Sequence, residues 1–182
     1  MEKRVLILTG SPGVGKTTIL AKTVSALKER NVAVGGMFSR EVREGIERVG
    51  FEIIDITSLK HGWLAHIDQQ SGPQVGKYHV DLDILESVGA LAINVAVENC
   101  DVIAIDEIGP MELFSTKFSE AAQKALNGKK FVIAVVHWKV QDKLVLEAKN
   151  REDAETFTVT SENRETLHEV LLEKVITFLK QV

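Results

Sequence analysis

The residues with the clearest chemistry form one segment near the start of the chain, Gly10-Ser11-Pro12-Gly13-Val14-Gly15-Lys16-Thr17. The segment matches G-x-x-x-x-G-K-[ST], the pattern of a phosphate-binding loop. In such a loop, glycines let backbone N–H groups point into one concave surface at a helix N-terminus, where they bind phosphate oxygens. We expect Lys16 to act as a catalytic cation on the β- and γ-phosphates, Thr17 to bind Mg²⁺, and Thr18 to extend the binding segment. The segment therefore predicts that the chain binds a nucleoside triphosphate.

Two adjacent carboxylates, Asp106 and Glu107, form the second candidate group. They follow Val102-Ile103-Ala104-Ile105, an apolar run that predicts a buried strand. Enzymes with a phosphate loop place an acidic metal ligand at the end of such a strand, so we expect Asp106 to hold Mg²⁺. Glu107 is then placed to polarise a water molecule for attack on the γ-phosphate. The alternative is that Glu107 is a loop charge or a helix cap, and Glu112 is the next candidate for positioning the water.

Two further groups of polar residues carry weaker predictions. Asn163 and Arg164 follow a predicted strand in the region where many phosphate-loop folds bind the base. The planar guanidinium of Arg164 stacks on any base, whereas the alternative is that Asn163 caps the last helix and Arg164 is solvated. Arg40, Arg43 and Arg48 lie near a predicted hairpin. Two interpretations stay open. Either one of these arginines acts as an arginine finger on the transferring phosphoryl group, or all three are surface charges.

The elements that position these residues alternate between strand and helix. A strand at 4–8 precedes the phosphate loop, and a helix at 16–30 follows it. The remaining predicted elements are a strand at 32–38, a β-hairpin at 41–55, a loop at 60–76, a helix at 83–98, a strand at 102–105, a helix at 112–126, a strand at 131–136, a helix at 140–148, a strand at 157–159 and a helix at 163–180. This order predicts an α/β fold of three layers, with a mostly parallel central sheet and an inserted β-hairpin, in one domain over 1–182.

Composition narrows the class of protein and its partners. A chain of 182 residues with 45% hydrophobic and 26% charged residues has the size and balance of one globular domain. Its net charge of −4 argues against standing affinity for nucleic acid or an anionic membrane. The lone cysteine, Cys100, cannot form an internal disulfide, which favours the cytoplasm. We expect a monomer with no signal peptide or membrane span.

Several motifs together resemble those of one known family. The segment Asp106-Glu107-Ile108-Gly109-Pro110-Met111-Glu112-Leu113, taken with residues 10–18, resembles the thermophile-type nucleoside-triphosphatase family. Three further segments are similar to motifs of that family: Glu41-Val42-Arg43-Glu44-Gly45, Val75-Gly76-Lys77-Tyr78 and Thr160 followed by Asn163-Arg164. The resemblance covers nearly the whole chain in the right order. It implies slow, Mg²⁺-dependent hydrolysis of several nucleoside triphosphates (ATP, GTP, CTP, UTP or TTP) with little base preference.

Three classes of function fit a chain with these residues. The first is a hydrolase that cleaves the γ-phosphate with water, as Glu107 and the resemblance favour. The second is a small-molecule or nucleotide kinase, in which nucleoside triphosphate hydrolysis is a side reaction. The third is a nucleotide-dependent switch or an ATPase subunit, against which the acidic net charge argues. Because the chain has no N-K-x-D stretch, it does not predict a guanine-specific pocket.

Overall fold

The computed structural model describes residues 3–181, in which strands and helices alternate along the chain. The strands are β1 (Val5–Thr9), β2 (Val34–Glu44), β3 (Glu47–Asp55), β4 (His61–His66), β5 (Gln74–Val75), β6 (Tyr78–Val80), β7 (Val102–Ile108), β8 (Phe131–Val136) and β9 (Ala154–Thr158). The helices are α1 (Lys16–Lys28), α2 (Leu82–Ile84), α3 (Leu91–Asn99), α4 (Thr116–Asn127), α5 (Lys143–Asn150) and α6 (Leu167–Leu179). The phosphate loop joins β1 to α1, as the sequence predicts.

All these strands belong to one sheet, in the order β5-β6-β4-β3-β2-β7-β8-β1-β9. The five strands from β2 to β9 in this order are parallel to one another. The carboxyl ends of β1 and β7 therefore point the same way, which brings the phosphate loop and Asp106 to the same edge of the sheet. Every residue of β8 is buried, as expected for a parallel strand covered on both faces.

Helices cover both faces of the parallel part, which gives the three predicted layers. Alternate residues of β1 point to opposite sides, because side chains along a strand alternate between the two faces. Val5 and Ile7 pack into the cluster that includes residues of α3, α4 and α5, and Leu6 and Leu8 pack into the cluster that includes residues of α1 and α6. The predicted α/β class with a parallel core is confirmed.

The antiparallel part is larger than the predicted hairpin. The hairpin's first arm is the far end of β2, which runs unbroken to Glu44, and β3 forms the second arm. The predicted loop at 60–76 contains β4 and β5, and with β6 these strands extend the sheet beyond β3. The prediction of a loop was wrong because polar residues and Gly62 obscure the strand pattern. Gly62 packs against Ile84, where a Cβ atom would lie 2.9 Å from the Ile84 side chain.

Two predicted helices are divided in the structure. The helix predicted at 112–126 is a single 3₁₀ turn, Glu112–Phe114, followed by α4. The Ser115 hydroxyl accepts a hydrogen bond from the Phe118 N–H at 3.1 Å and so starts α4 with its own cap. The helix predicted at 83–98 consists of α2, a π-helical segment Leu85–Ala90, and α3. Hydrophobic spacing alone does not reveal either interruption.

Three boundary shifts affect the site or its flanks. β7 continues to Ile108, so Asp106 and Glu107 lie within the strand and not after it. β9 ends at Thr158 and α6 begins at Leu167, which leaves a longer connection around Asn163 than predicted. α5 begins at Lys143, three residues later than predicted, because Asp142 caps it. Within residues 3–181, no helix has both the length and the apolar character needed to cross a membrane.

Candidate active site

The phosphate loop has the backbone conformation that its glycines permit. Gly10, Gly13 and Gly15 have φ values of 145°, 74° and 114°, in a region that other residues rarely adopt. At Gly10, a Cβ atom would also lie only 2.8 Å from the Val159 carbonyl oxygen. Gly15 precedes α1, and no side chain caps that helix terminus. Its first N–H groups are therefore oriented to bind an anion.

The Lys16 side chain folds back over the phosphate loop. Its ammonium group donates hydrogen bonds to the carbonyl oxygens of Gly10 at 2.9 Å and of Ser11 at 3.0 Å. These contacts hold a positive charge at the mouth of the loop, beside the N-terminus of α1. The position suits a cation that compensates phosphate charge, and the catalytic role of Lys16 stays a prediction.

Thr17 and Asp106, the two predicted metal ligands, are in direct contact. The Thr17 hydroxyl donates to Asp106 Oδ1 at 3.2 Å, and the Ser39 backbone N–H donates to Asp106 Oδ2 at 3.4 Å. Asp106 is 1% exposed, and this burial raises its pKa to about 7. A hydroxyl and a carboxylate are the oxygen ligands that Mg²⁺ prefers, and a bound cation would compensate the buried charge. The residues present therefore fit a magnesium ion.

Glu107 lies between Asp106 and a local irregularity of the sheet. The register of β7 against β8 shifts between Asp106 and Ile108, so Glu107 has no directly paired partner residue on β8. Its side chain is largely buried, and burial raises the pKa of the carboxyl group. The charges of Lys16 and His137 act in the opposite direction and lower this pKa. Glu107 therefore lies within electrostatic range of Lys16, and its role as a water-activating residue stays a prediction.

A third carboxyl group, Glu112, lies in the same region. Glu112 is 5% exposed, and its Oε2 accepts a hydrogen bond from the Gly109 N–H at 3.1 Å. Burial, together with the charges of Glu107 and Asp106, raises the pKa of Glu112 to about 8. From the sequence, Glu112 is only a candidate after Glu107 for positioning the water. Its burial becomes evident only when the 3₁₀ turn after β7 is known.

Asn163 and Arg164 follow β9, which pairs with β1 on the side opposite to β8 and β7. Residues of the loop, α1 and the β9–α6 connection form a cleft of about 250 Å³, lined by Gly13, Val14, Gly15, Thr18, Lys22, Arg164 and Glu165. The Asn163 side chain accepts from the Thr160 N–H and donates to the Thr158 carbonyl, both at 2.9 Å. Asn163 thus shapes the turn that carries Arg164, and its side chain does not cap α6. Contact of either residue with a nucleotide stays a prediction.

The three hairpin arginines are all engaged by nearby polar groups. Arg40 Nε donates to Glu52 Oε2 at 2.7 Å, and Arg43 pairs with Glu41. Arg48 donates to the Tyr78 hydroxyl at 2.8 Å and to Glu41 at 3.0 Å. These contacts favour a role in holding the antiparallel strands together over a role as an arginine finger.

The fold and the site together define a class of protein. A glycine-rich loop between the first strand and first helix of a parallel sheet, with Thr17 against an aspartate at the end of a neighbouring strand, is the site of phosphate-loop nucleotide-binding enzymes. A family model described as NTPase matches residues 5–172. The chain is a member of this nucleoside-triphosphatase family of enzymes, as its motifs predict.

Individual relatives support the family assignment over nearly the full chain. The nucleoside-triphosphatase THEP1 of Thermofilum pendens is 43% identical over 98% of this chain and 99% of its own. THEP1 of Methanopyrus kandleri is 41% identical over 97% of both chains. The crystal structure of THEP1 from Aquifex aeolicus matches with a TM-score of 0.84 and 32% identity, covering 94% of this chain and 98% of that one. The solution structure of a human cancer-related nucleoside triphosphatase matches with a TM-score of 0.78 and 34% identity, covering 94% and 97%.

Proposed function

We propose that this protein hydrolyses nucleoside triphosphates to diphosphate and phosphate, with Mg²⁺ and with weak base selectivity. The observation that carries the proposal is the convergence of three groups at one sheet edge. The ammonium of Lys16 lies at the phosphate loop, Thr17 contacts Asp106, and Glu107 lies within electrostatic reach of Lys16. A cation, proposed metal ligands and a proposed base at one sheet edge are the groups that hydrolysis at the γ-phosphate requires.

Each group has a distinct part in the proposed reaction. The N–H groups of the phosphate loop and Lys16 bind the β- and γ-phosphates, and Thr17 and Asp106 hold the magnesium ion. When bound, Mg²⁺ neutralises charge on the phosphate oxygens. Binding of the cation requires Asp106 in its ionised form, which its raised pKa of about 7 makes accessible near neutral pH.

Glu107 is the proposed general base. The oxygen of a water molecule attacks the γ-phosphorus, the bond to the bridging β,γ-oxygen breaks, and the nucleoside diphosphate leaves. The Glu107 carboxylate accepts the proton of the attacking water. Burial raises the pKa of Glu107, which brings its basicity closer to what proton transfer at neutral pH requires.

The cleft beside the phosphate loop supports weak base selectivity. Its charged lining residues are Lys22, Arg164 and Glu165, and all three are exposed. Exposed, flexible side chains discriminate poorly between nucleotide bases. The guanidinium plane of Arg164 can also stack on any base. We expect ATP, GTP, CTP and UTP to be hydrolysed with efficiencies within roughly tenfold of one another. We further propose that the protein acts in the cytoplasm, in line with its single buried cysteine, and that it is a monomer.

Product analysis tests the proposed function. Purified protein incubated with ATP and Mg²⁺, and with no other substrate, should release ADP and inorganic phosphate in equal amounts. Lys16→Ala should lose this turnover, whereas the matched variant Lys129→Ala, at an exposed position, should keep it. Turnover of Lys16→Ala near the wild-type rate would contradict the assignment of the phosphate loop as the active site. Phosphate transfer that requires an added acceptor would instead support the kinase alternative.

A further inference from the structure

A small cavity lies beside the proposed base, on the side of the antiparallel strands. It has a volume of about 160 Å³ and is lined by Ser39, Phe51, Leu64, Val75, Glu107, Pro110, Met111 and Glu112. The lining is divided by chemistry. Ser39, Glu107 and Glu112 provide polar groups, and the remaining five residues are apolar. The cavity therefore suits a molecule that has one polar group on an apolar body.

The polar side of the cavity adjoins the proposed γ-phosphate position. Ser39 lines the cavity, and its backbone N–H binds the Asp106 carboxylate. Glu107 also lines the cavity and interacts with the charge of Lys16. A hydroxyl group in the cavity would thus lie next to the same base that activates water. The cavity shares no lining residue with the cleft that contains Arg164.

The geometry points to a phosphoryl-acceptor subsite in this cavity, in which a small alcohol with an apolar body replaces water as the attacking group. This inference rests on the proposed function, because it uses the same phosphate loop and the same base. The volume sets the size of the acceptor. An apolar protein cavity of about 150 Å³ holds a benzene molecule, so an apolar body of about five or six carbons fits.

The transfer to an alcohol follows the hydrolytic reaction step for step. The alcohol oxygen attacks the γ-phosphorus, and the bond to the bridging β,γ-oxygen breaks. The hydroxyl proton passes to the Glu107 carboxylate, and the products are a phosphate monoester and the nucleoside diphosphate. Burial of the apolar body against Phe51, Leu64 and Val75 would favour the alcohol over water, which is far more concentrated.

Partition between water and alcohols tests the inference. The protein is incubated with ATP, Mg²⁺ and one linear alcohol from methanol to 1-hexanol, at equal concentrations, and ADP, inorganic phosphate and alkyl phosphate are measured. The ratio of alkyl phosphate to inorganic phosphate should rise roughly fourfold per methylene group, until the cavity is full at about five carbons. Absence of alkyl phosphate, or a ratio independent of chain length, would overturn the inference. The proposed function would survive that result if ADP and inorganic phosphate still form, and would fail separately if neither forms without alcohol.

Substitutions of cavity-lining residues test whether the alkyl phosphate ratio depends on this cavity. Val75→Phe adds volume inside it and should lower the alkyl phosphate ratio for 1-pentanol by roughly tenfold or more. The matched control Val95→Phe, at a position that is 40% exposed on α3, should leave the ratio unchanged. Met111→Ala enlarges the cavity and should move the preferred alcohol to a longer chain, a change that impaired folding does not produce. An unchanged ratio in Val75→Phe, or an unchanged preference in Met111→Ala, would reject the cavity as the acceptor subsite.

Discussion

Asp106, Glu107 and Glu112 each have a carboxyl group, and their different surroundings suit them to different roles. Asp106 contacts a hydroxyl and a backbone N–H, which suits a metal ligand. Glu107 lies within electrostatic range of Lys16, which suits a base near phosphate. Glu112 is buried with the Gly109 N–H as a hydrogen-bond donor, and both of the other carboxylates disfavour its ionisation. Burial raises the pKa of all three carboxyl groups, so their different contacts, and not opposite pKa shifts, distinguish them.

The burial of Glu112 predicts a dependence of stability on pH. Its folded-state pKa of about 8 lies above the ordinary glutamate value of 4.5, so the native state binds the proton more tightly than the unfolded state. The contribution of Glu112 to the free energy of unfolding is therefore present at low pH and is lost as pH rises from about 4.5 to about 8. Glu112→Gln keeps an oxygen that accepts from Gly109 and cannot ionise. Relative to wild type, the variant should gain on the order of 3 kcal/mol between pH 5 and pH 9.

Urea unfolding of both proteins at pH 5 and pH 9, without nucleotide, measures this difference. Glu120→Gln, at an exposed position on α4, is the matched control and should show no such gain. An equal difference between Glu112→Gln and wild type at both pH values would mean that Glu112 is ionised in the folded protein at pH 5.

At the scale of elements, the connection between β9 and α6 forms part of the cleft in which the nucleotide base is proposed to bind. Asn163 binds two backbone groups of this connection and thereby fixes the position of Arg164 against the phosphate loop. Asn163→Ala removes both hydrogen bonds and should raise KM about 3- to 10-fold for ATP, GTP, CTP and UTP alike, with kcat largely kept. Steady-state kinetics with the four nucleotides measures this, and Glu162→Ala, at the preceding exposed residue, is the control. An effect confined to one nucleotide would indicate base recognition by Asn163 itself.

Elements with a strong local pattern could be predicted from the sequence, and elements without one could not. The phosphate loop was predictable because Gly10, Gly13 and Gly15 occupy conformations that other residues avoid, and the lysine and threonine follow at fixed spacing. Strand β7 was predictable from its apolar run, although the end of the strand was not. The strands within 60–76 escaped prediction because short edge strands with polar residues have no strong pattern, and their pairing is set by distant neighbours.

The candidate site could be predicted in part, because a phosphate-loop motif implies an acidic partner on another strand. Thr17 and Asp106, which are 89 positions apart in the chain, meet as a motif-based prediction requires. The buried state of Glu112 and the cavity could not be predicted, because both depend on how the antiparallel strands pack against the turn after β7. Hydrophobic periodicity contains no information on such packing between distant segments.

In the molecule as a whole, the sheet has two parts with different uses. The parallel part places the carboxyl ends of β1 and β7 at one edge and so brings together the phosphate loop, the proposed metal ligands and the proposed base. The antiparallel part, from β3 to β5, forms the apolar wall of the cavity beside Glu107. In the proposed reaction, groups at the carboxyl ends of β1 and β7 act on the same phosphate. Loss of the base should therefore slow the reaction without loss of nucleotide or Mg²⁺ binding.

Single-turnover hydrolysis by Glu107→Gln, with saturating ATP and Mg²⁺, tests this claim most directly. The glutamine keeps the shape of the side chain and cannot accept the proton, so the rate should fall roughly 10²- to 10⁴-fold while ATP still binds. Asp106→Asn is the contrasting variant, which should raise the Mg²⁺ concentration needed for half-maximal rate as well as lower the rate. A wild-type single-turnover rate in Glu107→Gln would contradict the assignment of Glu107 as the general base.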